Sequence, residues 1–156
     1  MNQTEIEESL EKAVEALFAN QLNIFEFTSE TGQSEWNLSH HLANEIQKLF
    51  NDFDCDLDII KVNLGDRRPD IIFHKRGTNK SNFLVIEVKR DGQPADTRDD
   101  IEKIKSFWFG GRLNYGFGAV INIKSDRTYQ IQVLQWMHHL YQLSLSCLTL
   151  YIPAFP

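Results

Sequence analysis

The chain has 156 residues, 42% of them hydrophobic and 24% charged, with a formal net charge of -6. This balance suits one domain, spanning 1-156, with a core of its own, and it excludes a disordered chain and a disulfide-stapled miniprotein. No apolar run approaches the roughly 20 residues of a bilayer span, and Cys55 and Cys147 form neither a C-x-x-C pattern nor a disulfide framework.

The N-terminal stretch MNQTEIEESLEKAVEALF is acidic and polar where a secretory leader would be basic and then apolar, so a cytoplasmic location is expected. The net charge hides an asymmetry. Between Lys61 and Arg90 there are eight Lys or Arg against three acids, so this segment carries +5 and the rest of the chain -11. A basic strip on an acidic body suits local contact with a polyanion and resists non-specific coating of it; a hairpin with solvated charged edges gives the same count.

Ile6, Leu10, Ala13, Val14, Leu17 and Phe18 recur at helical spacing and predict an amphipathic helix over 4-20, with Thr4 and Glu7 as its capping box. Gly32 marks a loop, and Ser34 is the N-cap expected for a second helix over about 35-50, whose stripe is Leu38, Leu42, Ile46, Leu49 and Phe50. Glu35 projects near that stripe and so toward the interior; a first-turn acid complementing the helix dipole gives the same placement. The acidic NDFDCDLD (51-58) is read as a loop or strand lead-in and lacks the glycine and terminal glutamate of a calcium loop. An extended segment near Ile59 to Leu64 and a strand from Pro69 to His74 follow; the turn RGTNKSN leads into a strand over Phe83 to Lys89. Beyond the polar loop DGQPADTRDD, a helix is predicted over about 99-109 from Ile101, Ile104, Phe107 and Trp108, ending at Gly110-Gly111. FGAVINIK (117-124) reads as a strand covered on both faces and TYQIQVLQW as another, while the tail from Trp136 fits strand and helix equally. The order gives an α/β fold, a central β-sheet flanked by helices in three layers.

Residues i and i+2 of a strand share a face, so Phe83, Val85, Glu87 and Lys89 point one way and Leu84, Ile86 and Val88 the other. Asp70, Ile72 and His74 share a face of the preceding strand, and a hairpin of this length sets Asp70 near Glu87. Two carboxylates that close repel unless a cation sits between them. Hard oxygen donors suit Mg2+, with Mn2+ as substitute, and the neighbouring lysine, Lys89, can orient or deprotonate a water nucleophile, or offset charge at phosphorus. A strand-end ion pair is the alternative for Glu87 and Lys89, and a turn-capping acid for Asp70.

Pro69-Asp70, sixteen residues, then Glu87-Val88-Lys89 resembles the PD-(D/E)xK motif of the restriction-endonuclease-like nuclease superfamily. The wording RPDIIFHKRG followed by FLVIEVKR is similar to small stand-alone bacterial members. The resemblance covers about 34-124 and implies an α-β-β-β-α-β core, with the helix over 4-20 and a C-terminal strand or helix as additions. It implies a Mg2+-dependent nuclease with Asp70, Glu87 and Glu35 as metal ligands, the Val88 carbonyl as a further one, and Lys89 as the catalytic lysine.

The substrate implied is DNA, with RNA as the weaker alternative, and a homodimer is the assembly that would supply two sites for paired cuts. Arg67, Arg68, His74, Lys75, Arg76 and Arg90 are the residues placed to meet phosphates. The competing reading is a catalytically silent nuclease-fold module that binds DNA or a protein. The doublets His40-His41 and His138-His139 lack a third ligand at zinc spacing.

Overall fold

The computed structural model describes residues 1-25, 34-59, 67-110 and 113-136. Helix α1 (Gln3–Asn20) buries Ile6, Leu10, Ala13, Val14 and Leu17, the stripe that its sequence lays down. Its capping box is formed by Asn2 and Glu5: the Glu5 amide donates to Asn2 Oδ1 at 3.0 Å and the Asn2 amide to Glu5 Oε2 at 2.8 Å. The cap therefore lies two residues before the expected Thr4, because Asn2 offers the same acceptor one step outside the helix. Helix α2 (Ser34–Leu49) buries Leu38, Leu42, Ala43 and Ile46. Ser34 is its first helical residue rather than the cap preceding it.

Five strands follow: β1 (Asp54–Leu57), β2 (Ile71–His74), β3 (Asn82–Arg90), β4 (Phe117–Ile123) and β5 (Tyr129–Gln135). They form one sheet in chain order, antiparallel except for the parallel pair β3 and β4. That parallel step requires a crossover, which helix α3 (Pro94–Lys103) supplies. Strand β1 lies in the segment read as an acidic loop or strand lead-in, and the second of these is what forms. Its alternating acids belong to an edge strand, where charge is tolerated because one side of the ladder is open. Of the extended segment expected near Ile59 to Leu64, Ile59 is not in a strand and residues 60-66 lie outside the described residues.

Helix α3 begins at Pro94, five residues before the expected start. Proline fits the first helical turn, and the Gln93 amide donates to Asp96 Oδ2 at 2.8 Å, so the polar run read as loop is a helix start. A π-helical turn, Ile104–Trp108, extends it, with the Phe109 amide donating to the Ile104 carbonyl at 3.1 Å. Gly118 of β4 faces that turn. A Cβ there would collide with Ile104 and crowd Phe109 at 3.2 Å, so glycine lets the turn press on the sheet.

The sheet is the middle of three layers. Helices α1 and α2 cover the face that carries Ile71, Phe73, Leu84, Ile86, Val88, Ala119 and Ile121. Helix α3 and the π turn cover the face that carries Ile72, Val85 and Val120. All seven residues of β4 are buried, as expected of a strand covered on both sides. Among the described residues no helix is long and apolar enough to cross a membrane. The tail from residue 137 on, with His138, His139 and Cys147, lies outside the described residues.

Candidate active site

The β2/β3 register pairs Ile71 with Ile86 and Ile72 with Val85; one step further along it sets Asp70 opposite Glu87. Asp70 Oδ2 accepts the Val88 amide N–H at 2.6 Å. Glu87 is 1% exposed, yet both oxygens are engaged: Lys103 Nζ donates to Oε2 at 2.7 Å and Trp108 Nε1 to Oε1 at 3.3 Å. Burial, and then the charge of Asp70, push the Glu87 carboxyl up to about 7. Burial also raises Asp70, against the opposing pull of the Val88 amide and Lys89. Both carboxylates are thus held in a place that disfavours their charge.

Two residues beyond Glu87 on the same face, Lys89 Nζ lies 3.4 Å from Asp100 Oδ2 and 3.6 Å from Glu35 Oε1. Burial alone would depress the ammonium, but Asp100, Glu35 and Asp70 together hold it above the ordinary lysine value. Glu35 does not point into the core. Its side chain is 45% exposed at the start of α2, where it reaches the end of β3 and accepts the Arg90 amide N–H at 3.3 Å. Val88 buries its side chain among the α1 and α2 residues and presents its backbone to the site. A pocket of about 150 Å³ opens beside these groups, lined by Glu35, Trp36, Ser39, Leu57, Asp58 and Asp70.

The turn after β3 fixes the position of Lys89. Asn122 of β4 is buried and bonds both sides of Gly92: the Gly92 amide donates to Oδ1 at 3.0 Å and Nδ2 donates to the Gly92 carbonyl at 2.8 Å. A Cβ on Gly92 would lie 2.8 Å from the Lys89 Cβ, so glycine lets the turn fold back over the lysine.

The other basic residues have partners of their own. Arg76 pairs with Asp54 and Asp56, and His74 Nε2 lies 2.6 Å from Asp56 Oδ2. His74 is therefore on the same sheet face as Asp70 but at the far end of β2. Arg68 pairs with Asp58 at 3.4 Å, and the Arg67 guanidinium lies 3.6 Å from the centre of the Phe107 ring. Lys75 Nζ lies 5.9 Å from the Phe53 ring; Arg90 sits near Asp91, Ser125 and the Phe25 ring.

Asp70 and Glu87 fit a hard divalent cation in their chemistry, being adjacent carboxylates that repel. As they stand each is engaged elsewhere, and no three His, Cys, Asp or Glu among the described residues form a group that could hold a metal ion. Lys103 and Trp108 were not singled out as site residues by sequence reasoning. The available signal was the spacing of Asp100, Lys103 and Ile104, which places two charges on the inward stripe of α3. Asn122 carries no such signal, since it reads as one polar residue within an apolar strand. Comparison of the chain with protein-family models, curated proteins and solved structures returns no significant match.

Proposed function

We propose that the chain is a metal-dependent nuclease of the restriction-endonuclease-like type that hydrolyses phosphodiester bonds of DNA. The observation that carries this reading is the opposition of Asp70 and Glu87 across β2 and β3, with Lys89 beyond them on the same face. The order α2-β1-β2-β3-α3-β4 supports it, since the superfamily's core has the order α-β-β-β-α-β. Asp70, Glu87, the Val88 carbonyl and, after turning inward, Glu35 are the groups that would hold Mg2+ or Mn2+. When bound, such a cation supplies Lewis-acid stabilisation at phosphorus and acidifies a water.

The chain's own residues do the rest. Lys89, held between Asp100 and Glu35, stays an ammonium, so it orients the attacking water and offsets charge growing on the phosphoryl oxygens rather than taking a proton. Trp108 fixes Glu87 in rotation. Arg67, Arg68, His74, Lys75, Arg76 and Arg90 meet phosphates by exchanging their present partners for the backbone of the nucleic acid.

Asp70→Ala, with its fold checked by circular dichroism, is expected to lose Mg2+-dependent nicking of plasmid DNA by more than about a hundredfold. Undiminished cleavage by that variant would overturn the reading; RNA run in parallel identifies the sugar accepted. A second reading, a silent module that binds without cutting, is favoured by the internal pairing of Glu87 with Lys103. Wild-type protein that binds DNA in EDTA, yet takes up no Mn2+ in calorimetric titration and cuts nothing, would decide for it.

A further inference from the structure

The two oxygens of Glu87 have unlike partners. Trp108, on Oε1, is fully buried in the π turn, with its ring edge-on to Tyr115 at 6.4 Å, so it is fixed in place. Lys103, on Oε2, ends α3 with a side chain 29% exposed, so its ammonium has a route to water on a flexible four-carbon stem. The other nearby ammonium, Lys89, is engaged by Asp100 and Glu35. Lys103 is thus the cation that already neutralises the buried carboxylate, and also the one that can leave it.

We propose that Lys103 competes with a divalent cation for Glu87 and so sets the cation affinity of the site from α3, an inference that rests on the reading of Asp70 and Glu87 as a cation site. An ammonium and a divalent ion on one carboxylate repel. Loading the site therefore requires the Lys103 pair to open, and the binding free energy is reduced by what that pair contributes. Removing the Lys103 charge destabilises the empty site more than the filled one, where the two carboxylates are already neutralised, so affinity rises.

The test titrates MnCl2 into wild type, Lys103→Met, Lys103→Arg and Lys105→Met at pH 8 by calorimetry. Lys103→Met is expected to bind roughly tenfold more tightly, the scale on which one close charge acts on a carboxylate. Lys103→Arg keeps the charge and should stay near wild type. Lys105→Met removes the same charge from an exposed pair with Glu102 and should also stay near wild type. On wild type alone, acetylation read by mass spectrometry should show Lys103 becoming several-fold more reactive when Mn2+ is added, with Lys105 unchanged. This second measurement stands even if Lys103→Met does not fold. Mn2+ binding by wild type with no tightening in Lys103→Met, or with no rise in Lys103 reactivity, would overturn the inference and leave the cation site standing. No Mn2+ uptake by either protein would overturn the site as well, whereas uptake by Lys103→Met alone would uphold both.

Discussion

The two ends of strand β2 carry similar chemistry on the same sheet face and treat it in opposite ways. At one end His74 and Arg76 surround Asp56, and the Arg76 guanidinium, with His74 behind it, holds the Asp56 carboxyl below its ordinary value. At the other end Asp70 and Glu87 meet under α3, and both carboxyls are raised, chiefly by burial. The first cluster satisfies itself, with the exposed Arg76 guanidinium closing over the largely buried Asp56–His74 pair. The second buries two carboxylates next to each other, at a cost that a folded chain keeps only where other contacts impose it. Charge alone is therefore a poor guide to a site; charge held where it is disfavoured is a better one.

The contrast predicts opposite responses to pH. Glu87 has a folded value near 7 against an ordinary 4.5, so between those values the folded state holds a proton that the unfolded chain has lost. Stability from this group is then lost as pH rises from about 4.5 to 7, on the order of 3 kcal/mol in metal-free buffer. Glu87→Gln, which keeps the shape and removes the charge, should abolish that slope and be the more stable protein at pH 8. Urea denaturation at pH 5 and pH 8 measures it, and an unchanged slope would remove the distinction between the two ends.

A smaller effect is expected at the turn beside Lys89. Asn122→Ala strands the Gly92 amide and one bond to its carbonyl, for a loss of about 1-2 kcal/mol in thermal melting, and it loosens the segment that positions the lysine. The proposed cleavage activity should fall with it at temperatures where the variant is still folded. The smallest effect belongs to the self-satisfied end. Asp56→Ala should cost about 1 kcal/mol at neutral pH, because its arginine partner is largely exposed and contributes little, leaving chiefly the bond to His74. The Asp56 contribution is present above its unfolded value and lost as pH falls through its lowered folded one, so wild type and variant converge in acid. A large loss at neutral pH would mean that the bond to buried His74, rather than the exposed arginine pair, carries the stability of this end.

Much of this was legible in the chain. The stripe of α1, the apolar run of β4 and the alternation of β3 follow from periods of 3.6 and 2, which depend on local geometry. The convergence of Asp70 and Glu87 was legible because a hairpin converts sequence spacing into a cross-strand pair. The choice of strand over loop for β1 and the early start of α3 were not, since both are polar segments whose structure depends on pairing with β2 in one case and on Pro94 in the first helical turn in the other. Glu35 was expected to turn inward from its angle on the helix. It instead reaches the end of β3, because the first turn of α2 lies beyond the core that its stripe covers.

The sequence by itself determined which side chains share a face: Asp70 with His74, Glu87 with Lys89, and apolar residues on the reverse. Only the tertiary structure decided how those charges are partnered. It gave Glu87 to Lys103 and Trp108, Lys89 to Asp100 and Glu35, and His74 to Asp56. The physical reason is that face-sharing is a property of the backbone repeat, whereas the choice of counter-ion depends on what the tertiary fold lays beside each charge, which for Glu87 is the crossover helix α3. The burial that raises Glu87 does not exist until that helix is in place.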